Sequence, residues 1–153
     1  MPEELEFIIK VIFVVVGIGG ALYSVCTSIM AKISCSWVPV EGEITHHEMD
    51  ESRDNDGDYM YKAKVEYVYE YKRRTYKGKR IAFGFGSWNI RSLVYRAYGE
   101  AISNYPKVRV YVNQNSPKVS SILVGIRSFH DANILFFGFW NIIVYMALTN
   151  MSS

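Results

Sequence analysis

Cysteine is scarce in this chain: two in 153 residues, Cys26 and Cys35. That is too few for a disulfide framework, and the spacing is not that of a zinc site. Cys26 falls inside an apolar run and reads as a small buried hydrophobe. Cys35 lies just beyond it and reads as a juxtamembrane thiol, with lipidation as the alternative. Net charge is also small, +2, and makes no case for a nucleic-acid partner. The opening "MPEELEF" has Glu3, Glu4 and Glu6 where a secretory signal has basic residues. No small-x-small site closes the run that follows, so that run is expected to be retained. No nucleophile motif, carboxylate pair or metal signature is present either. The expectation is a protein that is not an enzyme and needs no cofactor or metal.

Apolar and aromatic residues are plentiful, at 50% and 15%, which argues against disorder. Val11 to Ala31 is an uncharged stretch flanked by Lys10 and Lys32, and Ala132 to Ser153 is a second one, with an apolar heart from Ile134 to Leu148. A helix of about 20 apolar residues spans a bilayer core. Two transmembrane helices, at 7–33 and 130–150, are therefore expected to flank a soluble domain at 36–126. Gly20, Ser24 and Ser28 repeat every fourth residue in the first run, the pattern that lets a second helix approach closely. The natural partner is the second run, with Gly138, Asn141 and Tyr145 on one face. Self-association into a homo-oligomer is the alternative. Lys32, Lys118 and Arg127 lie near the runs on the domain side, against Lys10 on the other, so the positive-inside rule favours a cytoplasmic domain.

Between the runs the period changes to two. "YMYKAKVEYVYEY" puts Tyr59, Tyr61, Ala63, Val65, Tyr67, Tyr69 and Tyr71 on one face and Lys62, Lys64, Glu66 and Glu70 on the other. A short strand near Glu43 to His47 is expected before it and a tight "KRR" turn after it. Further strands are expected at Thr75 to Phe83, at Val108 to Val112 and in "SSILV". Ile90, Leu93, Val94, Ala97, Tyr98, Ala101 and Ile102 follow helical spacing. They predict one amphipathic helix over about 89–104, capped by Ser87 or Asn89 and stopped at Tyr105-Pro106. The fold class is α+β: two membrane helices and a small antiparallel sheet or partial barrel with one amphipathic helix.

Charge is segregated along the domain. Residues 48–58 carry Glu48, Asp50, Glu51, Asp54, Asp56 and Asp58 against Arg53, whereas Lys72, Arg73, Arg74, Lys77, Lys79 and Arg80 cluster without an acid. With strands standing up from the bilayer, the acidic loop lies far from the membrane and the basic turn touches lipid, where each basic side chain contributes about 1 kcal/mol.

The order of "SWVPVEGEI", "YVYEYKRRTYKGKRI", a short helix ending in "NYP", and "VRVYVNQNSP" resembles the DUF3592 family of membrane proteins, from about Ser36 to Gly125. The chain departs from the family at Arg73-Arg74, where glycine is frequent, and at Asn113, Gln114 and Pro117. The resemblance implies this architecture and no particular activity.

Three local patterns resemble ligand sites. "GFGS", Gly84 to Ser87, precedes the helix as phosphate-cradling glycines do, but no βαβ unit surrounds it, and a turn is expected. "DNDGD" aligns Ser52, Asp54 and Asp56 with calcium-loop positions, but Ala63 stands where the closing carboxylate belongs, which excludes an EF-hand. His46 and His47 are adjacent on a strand and point to opposite faces. At the mouth of the second run, Arg127 is expected to pair with Asp131 or with a headgroup.

Two function classes follow. The first is a binding protein that engages a macromolecular partner through Asp50, Asp54, Asp56, Asp58, Tyr61, Tyr67 and Tyr69, as an accessory subunit or a toxin-immunity protein. The rival is a membrane enzyme or transporter component built on Arg127, His130, Asp131 and Asn141.

Overall fold

The computed structural model describes residues 3–53 and 57–150. Helix α1 (Glu3–Ser34) leads into strand β1 (Val38–Arg53), followed by β2 (Tyr59–Tyr71) and β3 (Arg74–Gly78). Helix α2 (Arg91–Ala101), β4 (Lys107–Val112), β5 (Ser120–Ser121) and α3 (Ser128–Asn150) complete the chain. The strands form one open antiparallel sheet in the order β3-β2-β1-β4-β5, so the fold is α+β.

Helices α1 and α3 are each long and apolar enough to cross a membrane, over Phe7–Ser34 and Ser128–Thr149. They pack antiparallel through small residues. A methyl group at Gly20 would lie 2.0 Å from the Phe137 ring, and one at Gly17 would lie 2.7 Å from the Asn141 amide oxygen. Asn141 Nδ2 donates to the Gly17 carbonyl at 3.1 Å, and Trp140 Nε1 donates to that of Phe13 at 3.2 Å. Ser24 is buried, and its hydroxyl returns to the Gly20 carbonyl; Ser28 returns likewise to Ser24. Gly138 does not belong to this seam, because open space surrounds it. It lies on the outer face of α3 with Leu135 and Phe139, and Tyr145 is exposed as well. Cys26 is also exposed, contrary to the buried position expected of it. The outer faces of both helices are apolar and bare: Leu135 is 72% exposed and Phe7 66%.

Strand β1 is much longer than the expected Glu43 to His47. Its acidic half is held by cross-strand partners, with Glu48 opposite Lys64 and Asp50 opposite Lys62, a favourable arrangement of opposite charges. A bulge between Ile44 and His46 changes which side chains face inward. Before it, Gly42 and Ile44 share the inner face with Tyr69 and Tyr67. After it, His47, Met49 and Glu51 do, opposite Val65, Ala63 and Tyr61. The inner face of β1 therefore turns from apolar to polar along its length, and α2 meets the polar half with tyrosines.

Strand β3 ends at Gly78, short of the expected Phe83. The Tyr67 ring lies across Gly78, where a methyl group would come within 2.3 Å of it. Beyond Gly78 the chain leaves the sheet, buries Ile81 and Ala82, and hydrogen-bonds through Ile81 O to Leu123 N at 2.7 Å. Helix α2 begins at Arg91 with Ile90 at its N-cap and no side-chain cap, so neither Ser87 nor Asn89 serves. The core joins the inner face of the sheet (Ile44, Val65, Val110) to Ala97 of α2 and to Phe129 of α3.

Gly84 has φ +69, and its α-carbon approaches Thr27 of α1 so closely that a methyl group there would lie 3.2 Å from the Thr27 side chain. Trp88, four residues on, is bridged to Tyr61 through both backbone groups. Four residues reach about 14 Å at most. The Tyr61 end of β2 is thus tied by a short loop to the segment that approaches Thr27 of α1.

Candidate functional site

Two surfaces gather polar and aromatic groups, and both come from β2 and its neighbours. The first is at the free end of the β1–β2 hairpin. Tyr59 stacks on Tyr61 with ring centroids 6.3 Å apart, and Tyr61 meets Tyr95 of α2 edge-on at 6.4 Å. Arg53 lies over the Tyr59 ring at 4.7 Å and Arg91 over Tyr95 at 4.9 Å. The Tyr95 hydroxyl donates to the Glu51 carboxylate, which also stands 3.9 Å from Arg91. These bonds hold exposed aromatic rings in place, so their burial by a partner costs little side-chain entropy.

The partner residues expected from the sequence are divided by the fold. Tyr61 belongs to this aromatic cluster. Asp50 lies on the outer face of the sheet, where Lys64 takes both Asp50 and Glu48 at 3.4 Å. The Glu48 carboxylate, with Asp50 beside it, raises the Lys64 pKa above its ordinary value. Asp58 is exposed beside the hairpin. Asp54 and Asp56 lie outside the described residues. Tyr67 and Tyr69 are core residues, 1% and 3% exposed, and present no surface. The Tyr67 hydroxyl binds the Arg80 carbonyl at 3.1 Å and Ser120 at 3.2 Å, and burial pushes its pKa up to about 12. The Tyr69 hydroxyl donates to the Pro117 carbonyl. Sequence reasoning missed Tyr59, Tyr95 and Arg91. The four-residue spacing of Arg91 and Tyr95, which puts both on one side of α2, was the available signal.

The second surface is a cleft of about 600 Å³ between the edge of the sheet and α1. It splits the expected basic turn in two. Lys72 and Arg73 form the two-residue β2–β3 turn, both with positive φ (51° and 60°), and Arg74 follows as the first residue of β3. By register Tyr71 comes level with Val40, so this turn flanks the start of β1. Lys77, Lys79 and Arg80 instead line the cleft, joined by Lys62 and Lys118 from other segments. Lys79 binds Glu66 at 2.6 Å and lowers the pKa of that carboxyl.

The polar residues at the mouth of α3 do not converge on one centre. Arg127 gives both terminal nitrogens to Glu100 of α2, at 2.6 and 2.9 Å, and not to the exposed Asp131. His130 is buried, and its Nδ1 accepts the Arg127 backbone N–H at 3.0 Å. Asn141 is eleven residues further on, about 16 Å along the helix, and is bonded to α1. His46 and His47, both beyond the bulge, point to opposite faces of the strand, with His47 at 2.7 Å from the Tyr98 hydroxyl. Among the described residues no group of three His, Cys, Asp or Glu side chains is placed to hold a metal ion. No family model matches the chain, and neither a curated protein nor a solved structure matches it.

Proposed function

We propose that this protein is a non-enzymatic integral membrane protein of two spans, whose β domain binds a macromolecular partner at the membrane surface. The observation that carries the reading is the pairing of α1 and α3. Their polar groups turn inward to each other, while large apolar side chains such as Phe7, Leu22, Leu135 and Phe139 stand exposed along both helices. Water opposes such a surface at roughly 25 cal/mol per Å² of apolar area, and lipid removes that penalty. The likeness in motif order to the DUF3592 family supports the same arrangement.

For the partner, the reading selects the tyrosine and arginine cluster of Tyr59, Tyr61, Tyr95, Arg53 and Arg91, since these residue types dominate binding hot spots. Asp58, exposed beside the hairpin, supplies an acidic flank. An accessory subunit and a toxin-immunity protein both use such a surface. The β domain is assigned to the cytoplasm from the excess of Lys32, Lys118 and Arg127 on its side of the spans. The β2–β3 turn, Lys72 to Arg74, contacts lipid headgroups.

A photo-crosslinking residue introduced at Tyr59 or Ile90 in native membranes tests the partner surface. A discrete protein adduct is expected from both positions and none from Glu41 on the outer face of the sheet. Loss of the adduct with Tyr95→Ala supports the reading. Absence of any adduct from the cluster, with function abolished by His130→Ala alone, overturns it in favour of chemistry at the α3 mouth.

A further inference from the structure

The basic cleft differs from the hairpin end in the charge of its walls. Its wall carries Lys62, Lys77, Lys79, Arg80 and Lys118, and no acidic side chain lines it. Among the described residues Lys77 and Lys118 form no ion pair, so their charge is not spent inside the fold, and Lys62, although it stands opposite Asp50 on β1, makes none within 4 Å. Arg80 is fixed in position, with its guanidinium over the Phe83 ring at 4.3 Å and one nitrogen 3.5 Å from the Ser120 carbonyl.

The opposite wall is Tyr23 and Thr27 of α1. Both lie within the apolar stretch long enough to cross a membrane, and Tyr23 is exposed. The cleft thus opens at one end onto the apolar flank of α1 that Tyr23 and Thr27 share by helical spacing with Val16 and Ile12, both of them exposed. Gly84 and Gly86 also line it, and neither puts a side chain into the space. A cationic pocket that continues into an apolar helix face matches an amphiphile, with a negative head for the lysines and a tail for the helix.

We infer that this cleft binds the phosphate headgroup of an anionic phospholipid, with the acyl chains lying along α1 below Tyr23. The inference rests on the membrane-spanning reading and deepens it: a specific seat for one lipid class replaces general attraction of basic residues to a charged surface. Lys62, Lys77 and Lys118 supply the charge, Arg80 the fixed hydrogen-bond donor, and the Gly84–Gly86 backbone the close approach.

The test uses the full chain in neutral-lipid nanodiscs and reads binding of a fluorescent phosphatidylglycerol against phosphatidylcholine of the same chain length. The wild type is expected to prefer the anionic lipid by at least about tenfold. Lys62→Gln with Lys77→Gln and Lys118→Gln is expected to abolish that preference. Removing three cations elsewhere, by Arg96→Gln, Lys107→Gln and Arg109→Gln, is expected to leave it, which separates a site from net charge. Equal losses in the two triple variants overturn the site. Inorganic phosphate at millimolar concentration is expected not to compete; full competition assigns the cleft to a free anion and overturns the lipid. Retention in the neutral discs and resistance to alkaline extraction are read on the same sample. If both hold and no lipid preference appears, this inference fails while the spanning reading stands. If the chain is extracted, the spanning reading fails first.

Discussion

The β2–β3 turn places two long cations where the backbone opposes them. Lys72 and Arg73 both have φ in the left-handed region, as a two-residue hairpin turn of the type favoured by strand twist demands, and asparagine followed by glycine is the pair that suits it. A residue other than glycine in that region costs about 1–2 kcal/mol. Replacing Lys72-Arg73 by Asn-Gly relieves most of the strain at the second position and part of it at the first. Against this stand the greater unfolded-state freedom of glycine, about 0.5–1 kcal/mol, and the loss of the Lys72 contact with the Tyr71 ring at 5.3 Å, about 0.5 kcal/mol at an exposed site. The net expectation is a gain of about 1 kcal/mol. For a unit the size of the β domain that raises the melting temperature by about 4–8 °C. The assay is thermal unfolding of the full chain in neutral detergent followed by near-ultraviolet circular dichroism. All of the twelve tyrosines except Tyr23 and Tyr145 lie in the domain, so the signal reports the sheet. Lys72→Ala, which keeps a left-handed residue other than glycine and loses the ring contact, is expected to give no gain and a loss of about 0.5 kcal/mol. An Asn-Gly variant that melts at or below the wild type refutes the assigned turn geometry. A stabilised variant that also loses affinity for anionic vesicles identifies the strain as the cost of holding cations at the lipid surface.

Other expectations follow from the same contacts. Gly20→Leu drives a side chain into the Phe137 ring and is expected to part α1 from α3, whereas Gly138→Leu, which meets open space, is expected to be nearly neutral; cysteine cross-linking between the two helices separates the cases. Asn141→Leu removes the bond to the Gly17 carbonyl and is expected to cost roughly 0.5–2 kcal/mol of helix association, read by denaturation in detergent. Burial raises the Tyr67 pKa to about 12 from 10, so its neutral form contributes stability that is complete below pH 10. That contribution falls by up to about 1.4 kcal/mol per unit as pH rises from 10 toward 12. Tyr67→Phe is expected to flatten this alkaline slope in urea titrations, and an unchanged slope contradicts the assignment. Gly84→Ala forces a methyl group toward Thr27 at a left-handed position and is expected to lower stability by about 1–2 kcal/mol, measured by thermal unfolding.

Much of the architecture was legible because it is written in local period. The two uncharged runs, the alternation of β2 from Tyr59 to Tyr71 and the helical spacing from Leu93 to Ala101 each report burial of one face, and the structure bears out the helices, the strand and the helix in those places. Other features depend on what the chain meets elsewhere. The length of β1 was hidden by Pro39, Gly42 and a run of acids that becomes favourable in a strand only when Lys62 and Lys64 stand opposite. The bulge after Ile44 changes which residues face inward, and nothing in the local pattern announces it. Tyr67 and Tyr69 were grouped with Tyr61 because they share its face, but that face is covered at one end and open at the other. Composition could identify basic residues, yet the cleft draws Lys62, Lys77 and Lys118 from three separated segments. The sequence by itself therefore determined the three helices and the central strand β2, because those rest on each segment's own periodicity. Only the tertiary structure decided which charges meet and which tyrosines are buried, because strand register and the return of the Gly84–Trp88 loop to α1 join residues that no local window contains.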